Sequence, residues 1–139
     1  MSKILYSPAS PFAAKARMSA AHAGYAFESV VTKTDEVTAD LIAANPLGKI
    51  PALVTDEGKG VFDSKVIIQF LNRATGGKLL PKNADKRLEA EMLESLADGI
   101  CDCAIACIYE RRQRPEDKQY QPWIDKQWAK VTRGLDHLE

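Results

Sequence analysis

The sequence contains little cysteine. Of its 139 residues only three are cysteines, and Cys101, Cys103 and Cys107 all lie within one apolar stretch. An odd number of closely spaced cysteines does not indicate a disulfide framework. Cys103 and Cys107 would share one face of a helix, but zinc needs two further ligands that this spacing does not supply. We therefore expect core or interface cysteines and no metal.

The sequence also lacks an excess of charge and a long apolar run. Lys and Arg number 19, as do Asp and Glu, so the formal net charge is +0. A balanced charge does not favour binding to nucleic acid or to an anionic membrane. No window approaches the roughly 18 apolar residues that a membrane span requires, and the first residues lack a signal-peptide pattern. We expect a cytoplasmic protein that binds neither nucleic acid nor membranes.

The first 77 residues alternate between strand and helix patterns. Four short apolar runs are typical of strands: residues 3–6, 27–31, 52–55 and 60–63. Ser10 followed by Pro11 is typical of a helix start and Gly24 of its end, while Thr38 and Ser64 are predicted to cap two further helices. The third helix would have four regularly spaced apolar positions: Val66, Ile67, Phe70 and Leu71. The predicted order is β-α-β-α-β-β-α, with a parallel first pair of strands.

After a linker at residues 78–83, residues 84–139 have a helical pattern throughout. Two helices are predicted, one ending at Pro115 and one beginning near Pro122. Their apolar residues recur at steps of three and four: Leu88, Met92, Leu96, Ile100, Cys103 and Cys107 in the first, and Ile124, Trp128, Val131, Leu135 and Leu138 in the second. Two helices bury little surface alone. Either they pack on the first domain, or, as we expect, the helical domain continues past Glu139.

Polar groups gather at three junctions between these elements: Ser7 and Ser10, Lys49 to Pro51, and Asp63 with Ser64. Open α/β sheets bind ligands outside the carboxyl ends of their strands, so we expect the junctions to lie near one edge. From the residues alone, simpler interpretations stay open. Pro51 could begin an edge strand, Ser64 could be only an N-cap, and Lys49 and Asp63 could be solvated surface charges.

In order and spacing, four segments closely resemble the glutathione transferase family: SPASPFAAKAR at 7–17, NPLGKIPALV at 45–54, FDS at 62–64 and LPKNADKRLEAEMLESLADGI at 80–100. The resemblance covers essentially the whole chain. It implies a thioredoxin-like α/β domain at residues 1–77 and an all-α domain at 84–139, which in this family normally has several more helices. It also implies a homodimer, with glutathione as co-substrate and a hydrophobic electrophile as its partner.

The resemblance further implies how glutathione would be bound. The family's proline that matches Pro51 is cis, so that Ile50 offers its N–H and C=O to the cysteinyl part of glutathione. Asp63 would pair with the α-ammonium group of the γ-glutamyl end. The Ser64 hydroxyl and the N-terminus of its helix would take the α-carboxylate, since helix N-termini bind anions. Lys49 would face the glycyl carboxylate.

Ser10 matches the catalytic serine of the family's SPF pattern, in which Phe12 is a further predicted glutathione-binding residue. Its hydroxyl would stabilise the glutathione thiolate by a hydrogen bond. Ser7 is the second candidate for this role, and a purely structural N-cap role for Ser10 stays open. Asp98 resembles a position that in some relatives reaches glutathione across a dimer interface.

The residue type at position 10 also indicates the reaction. Relatives with cysteine at this position favour disulfide exchange, whereas this chain has Ser10 and no cysteine in its first 100 residues. We therefore expect a detoxifying glutathione transferase that activates the thiolate for conjugation or thiolysis. The alternatives are a non-catalytic binding or interaction module of the same fold and a thiol-disulfide oxidoreductase.

Overall fold

The computed structural model describes all 139 residues, which form two compact units, Met1–Asn83 and Ala84–Glu139. The first unit contains β1 Ser2–Tyr6, α1 Pro11–Ala23, β2 Phe27–Val31, α2 Ala39–Ala44, β3 Ala52–Val54, β4 Gly60–Val61 and α3 Ser64–Ala74. The second contains α4 Ala84–Gln113, a 3₁₀ turn at Glu116–Lys118 and α5 Gln121–Leu138. The predicted order of elements and the fold class, thioredoxin-like α/β followed by all-α, are confirmed.

The four strands form one sheet in the order β2-β1-β3-β4. β1 and β2 are parallel, as predicted. β3 and β4 form an antiparallel hairpin. β3 also runs antiparallel to β1, with Ala52 opposite Leu5, and Leu53 lies opposite Val61. The carboxyl ends of β1 and β4 and the amino end of β3 therefore meet at one edge, which we call the site edge.

The core of the first unit lies on both faces of this sheet. Ile4 and Leu5 are neighbours in β1, so their side chains point to opposite faces. On the sheet face that carries Ile4, the buried cluster includes residues of α1 and α3: Ile4, Ala16, Ala20, Leu53, Val61, Ile67 and Leu71. On the sheet face that carries Leu5, a second buried cluster includes residues of α2: Leu5, Leu41, Ala44 and Ala52. The sheet is thus covered by helices on both sides.

The start of α1 was predicted from its capping residues. Ser10 has an extended backbone, and its Oγ accepts a hydrogen bond from the Ala13 N–H at 3.2 Å. Pro11 occupies the first helical position, where a missing N–H costs nothing. Gly24 ends the helix in the left-handed conformation at φ 71°. Thr38 caps α2 in the same way as Ser10 caps α1.

The start of α3 corrects two predictions. Asp63, not Ser64, is the N-cap: its backbone is extended and its Oδ1 accepts a hydrogen bond from the Lys65 N–H at 3.1 Å. Ser64 is the first helical residue. Asp and Ser cap helices about equally well, so two adjacent candidates cannot be ranked by type. Val66 lies outside the buried face and is 44% exposed, whereas Ile68 is buried.

The second unit is a hairpin of α4 and α5 that buries few side chains. Its buried residues are Cys107, Ile124, Val131 and Gly134. Several residues of the predicted apolar stripes are exposed instead: Leu88, Met92, Trp128, Leu135 and Leu138. The helices approach closely at Gly134, where an added Cβ would lie 2.6 Å from Ile100 Cγ1. None of the helices combines the length and the apolar character needed to cross a bilayer.

Candidate functional site

Three segments extend from the site edge: residues 7–10 after β1, residues 49–51 before β3, and residues 62–64 after β4. Because Leu5 lies opposite Ala52, the end of β1 runs beside the start of β3. Val61 lies opposite Leu53, so β4 leaves the sheet on the other side of that start. Neighbouring strands are about 5 Å apart. The sheet therefore brings the three predicted junctions side by side.

Ser10 is half-buried at the N-terminus of α1. Its backbone N–H donates a hydrogen bond to the Ser7 carbonyl at 3.1 Å, which closes the turn between β1 and α1. The cap bond to the Ala13 N–H uses a lone pair of Ser10 Oγ and leaves the hydroxyl proton available to another acceptor. Ser7 and Phe12 are also half-buried in this first part of the site edge.

Residues 49–51 expose a positive charge and a stretch of backbone. Lys49 is exposed, Ile50 is half-buried, and Pro51 is buried. The Ile50–Pro51 peptide bond is cis, as is the bond between Phe62 and Asp63. β3 begins only at Ala52, so Ile50 lies outside the hydrogen-bonded ladder of the sheet.

Asn45 supports this segment and was not among the sequence-predicted site residues. It is 3% exposed, and its Nδ2 donates a hydrogen bond to the Lys49 carbonyl at 2.8 Å. Its Oδ1 accepts from the Leu47 N–H at 3.0 Å, and its backbone carbonyl accepts from the Gly48 N–H at 2.8 Å. The sequence signals only the turn itself, because Asn-Pro-x-Gly is typical of a β-turn.

Asp63 and Ser64 lie where β4 passes into α3. Asp63 is exposed and places a carboxylate at the start of an 11-residue helix. Ser64 is 4% exposed. The first N–H groups of a helix have no partner within it and carry a partial positive charge. This junction can therefore offer both a negative side chain and backbone donors.

Arg17 fixes the end of β1 from the side of α1. Its guanidinium lies over the Tyr6 ring, 4.0 Å from the ring centroid, and its Nε donates a hydrogen bond to Ser29 Oγ at 3.1 Å. A cation over an aromatic face is attracted by the ring quadrupole. Arg17 therefore links α1, β1 and β2 next to the turn that carries Ser10.

Asp56 has a lowered pKa and lies at the opposite edge of the sheet, after the carboxyl end of β3. Its Oδ1 accepts a hydrogen bond from Ser2 Oγ at 2.6 Å and lies 3.7 Å from the N-terminal ammonium nitrogen of Met1. The Ser2 hydrogen bond, helped by the ammonium charge and opposed by desolvation, lowers the pKa of Asp56. Because Ser2 begins β1, this cluster is structural and lies away from the site edge.

The remaining candidates lie in the second unit. Asp98 is half-buried on α4, as are Cys101 and Cys103. Cys107 is buried, and its Sγ donates a hydrogen bond to the Ile124 carbonyl at 3.6 Å, so it acts as a core residue. No group of three or more His, Cys, Asp or Glu side chains is arranged to hold a metal ion.

Residues 9–74 match the family model for the glutathione S-transferase N-terminal domain. The GST-like protein YibF of Escherichia coli strain K12 is 33% identical over 138 residues, which cover 99% of this chain and 68% of YibF. A probable glutathione S-transferase of Zea mays, BZ2, is 36% identical over 80 residues, covering 54% of this chain and 34% of BZ2.

Solved structures show the same similarity. A glutathione S-transferase from Methylobacillus flagellatus KT with GSH bound superposes with a TM-score of 0.93 at 37% identity, covering 99% of this chain and 68% of that one. A family member from Pseudomonas fluorescens Pf-5 with bound glutathione gives 0.88 at 33% identity, covering 100% and 70%. Ure2p in complex with glutathione, at 12% identity and a TM-score of 0.79, covers 99% and 66% and shares the fold.

Proposed function

The chain belongs to the glutathione S-transferase family, and from this premise we propose that it binds glutathione at the site edge and activates its thiol for attack on an electrophile. One observation carries the proposal. A hydroxyl at a helix N-terminus, an exposed stretch of backbone and a second helix N-terminus with a carboxylate lie side by side at the ends of adjacent strands. Glutathione presents a thiol, peptide groups and an amino-acid end that match these three features.

Ser10 is the proposed catalytic residue because activation requires a thiolate. A thiol of cysteine type has a pKa of about 8.5, and lowering it by two units requires about 2.7 kcal/mol. A helix dipole contributes about 0.3 to 1 kcal/mol, which is not enough alone. A hydrogen bond to a charged group contributes about 1.5 to 3 kcal/mol and supplies the difference. The hydroxyl proton of Ser10, unused by the cap, is the donor, with Ser7 as the second candidate.

The middle of glutathione would bind to residues 49–51. The N–H and C=O of Ile50 would pair with the peptide groups of the cysteinyl residue, as added strands pair with a sheet edge. Lys49 is exposed and can reach a carboxylate, so it is the proposed partner of the glycyl end. Phe12, half-buried in the first turn of α1, would line the apolar side of the same site.

The γ-glutamyl end would bind where α3 begins. The Asp63 carboxylate would pair with the α-ammonium group, while the Ser64 hydroxyl and the first N–H groups of α3 would take the α-carboxylate. A zwitterionic ligand suits this junction because both charges meet a group of opposite sign. Two solved relatives above 30% identity hold bound glutathione, which supports this assignment.

The proposed reaction is attack of the glutathione sulfur on a hydrophobic electrophile, by conjugation or thiolysis. Disulfide exchange by the protein itself needs a cysteine at the site, and all three cysteines lie on α4 in the second unit. The family also suggests a cytoplasmic, detoxifying homodimer in which Asp98 of one copy reaches the glutathione of the other.

Calorimetric titration of the chain with glutathione tests the proposal. We expect saturable binding, and absence of binding at millimolar concentration would contradict it. S-methylglutathione is the matched ligand, since it keeps every peptide and charged group but cannot form a thiolate. Both ligands should bind, and only glutathione should react with an aryl halide. Binding without turnover over a panel of electrophiles would favour the non-catalytic binding module.

A further inference from the structure

A hydrogen bond joins the Asn45 side chain to the carbonyl of Lys49, the residue before Ile50. The Asn45 side chain is 3% exposed, and its Nδ2 donates to the Lys49 carbonyl at 2.8 Å. The same amide is held at its other end, where Oδ1 accepts from the Leu47 N–H at 3.0 Å. With both ends bonded, the Asn45 amide has one orientation, and the Lys49 carbonyl is held toward the protein interior.

The peptide unit between Lys49 and Ile50 links the direction of the Lys49 carbonyl to that of the Ile50 N–H. The bond between Lys49 and Ile50 is not one of the two cis bonds, so it is trans. In a planar trans unit the C=O and the N–H point in opposite directions. Holding the Lys49 carbonyl toward Asn45 therefore directs the Ile50 N–H away from it. None of the backbone hydrogen bonds of the loops and turns uses the Ile50 N–H, and β3 begins two residues later.

We propose that Asn45 is a positioning residue that turns the Ile50 N–H toward glutathione by holding the Lys49 carbonyl from the opposite side. This inference rests on the proposed function and adds to it a residue that does not touch the ligand. A donor fixed before binding loses little conformational freedom on binding, so the contact contributes more of its free energy to affinity. The Gly48 N–H donates a hydrogen bond to the Asn45 carbonyl, with Gly48 at φ 61°. This turn further restrains the position of Lys49 relative to Asn45.

Asn45→Asp is the sharpest test, because aspartate has the shape of asparagine. It keeps an oxygen for the Leu47 N–H but replaces the donor that faces the Lys49 carbonyl with a second acceptor. Asn45→Ala removes both side-chain bonds without adding charge and is measured alongside it. Thr38→Ala is the matched control: it removes the N-cap of α2, the helix that precedes Asn45, and leaves the bond to Lys49 in place.

The readout is the amide proton shift of Ile50 on titration with glutathione, with the Ser64 amide as an internal reference and calorimetry for affinity. In the wild type both amides should shift. In both Asn45 variants we expect the Ile50 shift to fall by more than half, the Ser64 shift to persist, and the affinity to weaken about tenfold, the size of one hydrogen bond. Thr38→Ala should lower the melting temperature but keep the wild-type Ile50 shift.

Three results would overturn the inference, and they are distinguishable. A wild-type Ile50 shift in both Asn45 variants would mean that another group orients the peptide, with glutathione binding unaffected. An equal decrease of the amide shifts at Ile50 and Ser64 would mean that Asn45 stabilises the whole first unit and has no specific effect on the Ile50 peptide. If no amide of the wild type responds to millimolar glutathione, the proposed function fails, and this inference fails with it.

Discussion

Ser10 Oγ lies 3.2 Å from the Ala13 nitrogen and accepts its hydrogen bond, so the proposed catalytic hydroxyl is also the N-cap of α1. The two roles use different parts of the same group. Capping needs a lone pair of the oxygen, whereas stabilising a thiolate needs the hydrogen. A hydroxyl that accepts one hydrogen bond becomes polarised and donates the next more strongly. The structural and catalytic interpretations of Ser10 are therefore compatible.

Replacing Ser10 by alanine should separate binding from activation. Because the peptide and charged groups of glutathione are assigned to residues other than Ser10, we expect the Ser10→Ala variant to bind glutathione within a few-fold of the wild type near neutral pH. The pKa of the bound thiol should rise by about one to two units, the equivalent of one hydrogen bond to a charged group. Ultraviolet absorbance of the thiolate against pH measures this shift.

Two further variants control for the cap and for the neighbouring hydroxyl. Loss of the cap should lower the free energy of unfolding by about 1 kcal/mol in Ser10→Ala. Ser10→Thr keeps a hydroxyl, so it should restore most of this stability and most of the lowering of the thiol pKa. Ser7→Ala should leave the pKa of the bound thiol unchanged. If instead the thiol pKa rises in Ser7→Ala and stays constant in Ser10→Ala, the donor is Ser7.

Asp63 offers a similar separation of cap and charge. Asparagine caps helices about as well as aspartate but carries no charge. Asp63→Asn should therefore weaken glutathione binding about tenfold or more, by loss of the pairing with the α-ammonium group, while the melting temperature stays near that of the wild type. Asp63→Ala should weaken binding equally and also cost about 1 kcal/mol of stability. Unchanged affinity of Asp63→Asn for glutathione would mean that another group pairs with the α-ammonium group.

What could be predicted from the sequence depends on how local the physical cause is. The Ser10-Pro11 start, the Gly24 end and the Thr38 cap depend on the conformational preferences of one to four adjacent residues, and all three are confirmed. The pairing of β1 with β2 follows from the length of their connection. Asp63 and Ser64 compete for one cap position, and the path of the chain at the end of β4 decides between them.

Other features depend on contacts that no local pattern contains. In the sequence, Asn45 is an ordinary turn residue. Its proposed positioning role depends on the Lys49 carbonyl lying 2.8 Å from the Asn45 side-chain nitrogen. Trp128 and Leu135 follow the apolar spacing of α5 yet are more than half exposed, because only part of that stripe faces α4. Periodicity identifies a helix and its apolar side but not what covers that side.

Gly60 should not tolerate a side chain. A Cβ added to Gly60 would lie 2.2 Å from the Ala44 carbonyl oxygen, a backbone atom that cannot move aside alone. We expect Gly60→Ala to lower the free energy of unfolding by about 2 to 3 kcal/mol. Gly99→Ala is the control, since Gly99 lies inside α4 with nothing within 4 Å of the added atom. That change should raise stability by about 0.5 to 1 kcal/mol. Denaturant unfolding distinguishes the two, and equal effects would contradict the assignment.

The Asp56 cluster predicts a loss of stability in acid. The Ser2 hydrogen bond holds the pKa of Asp56 below its ordinary value of 3.8, so the ionised carboxylate is favoured in the folded state. A lowered folded-state pKa means that the unfolded chain takes up the proton first, and the stabilisation present above the ordinary pKa disappears as pH falls through the lower one.

Asp56→Asn and Ser2→Ala test this relationship between pH and stability. The free energy of unfolding, measured from about neutral pH down to about pH 2, should be higher in the wild type than in Asp56→Asn above the ordinary pKa, with the difference shrinking below it. Ser2→Ala removes the largest cause of the shift and should flatten most of that dependence, because the remaining ammonium contact is between exposed groups and is screened by solvent. A difference that stays constant across the whole range would mean that Asp56 acts without its charge, through the shape of the turn after β3.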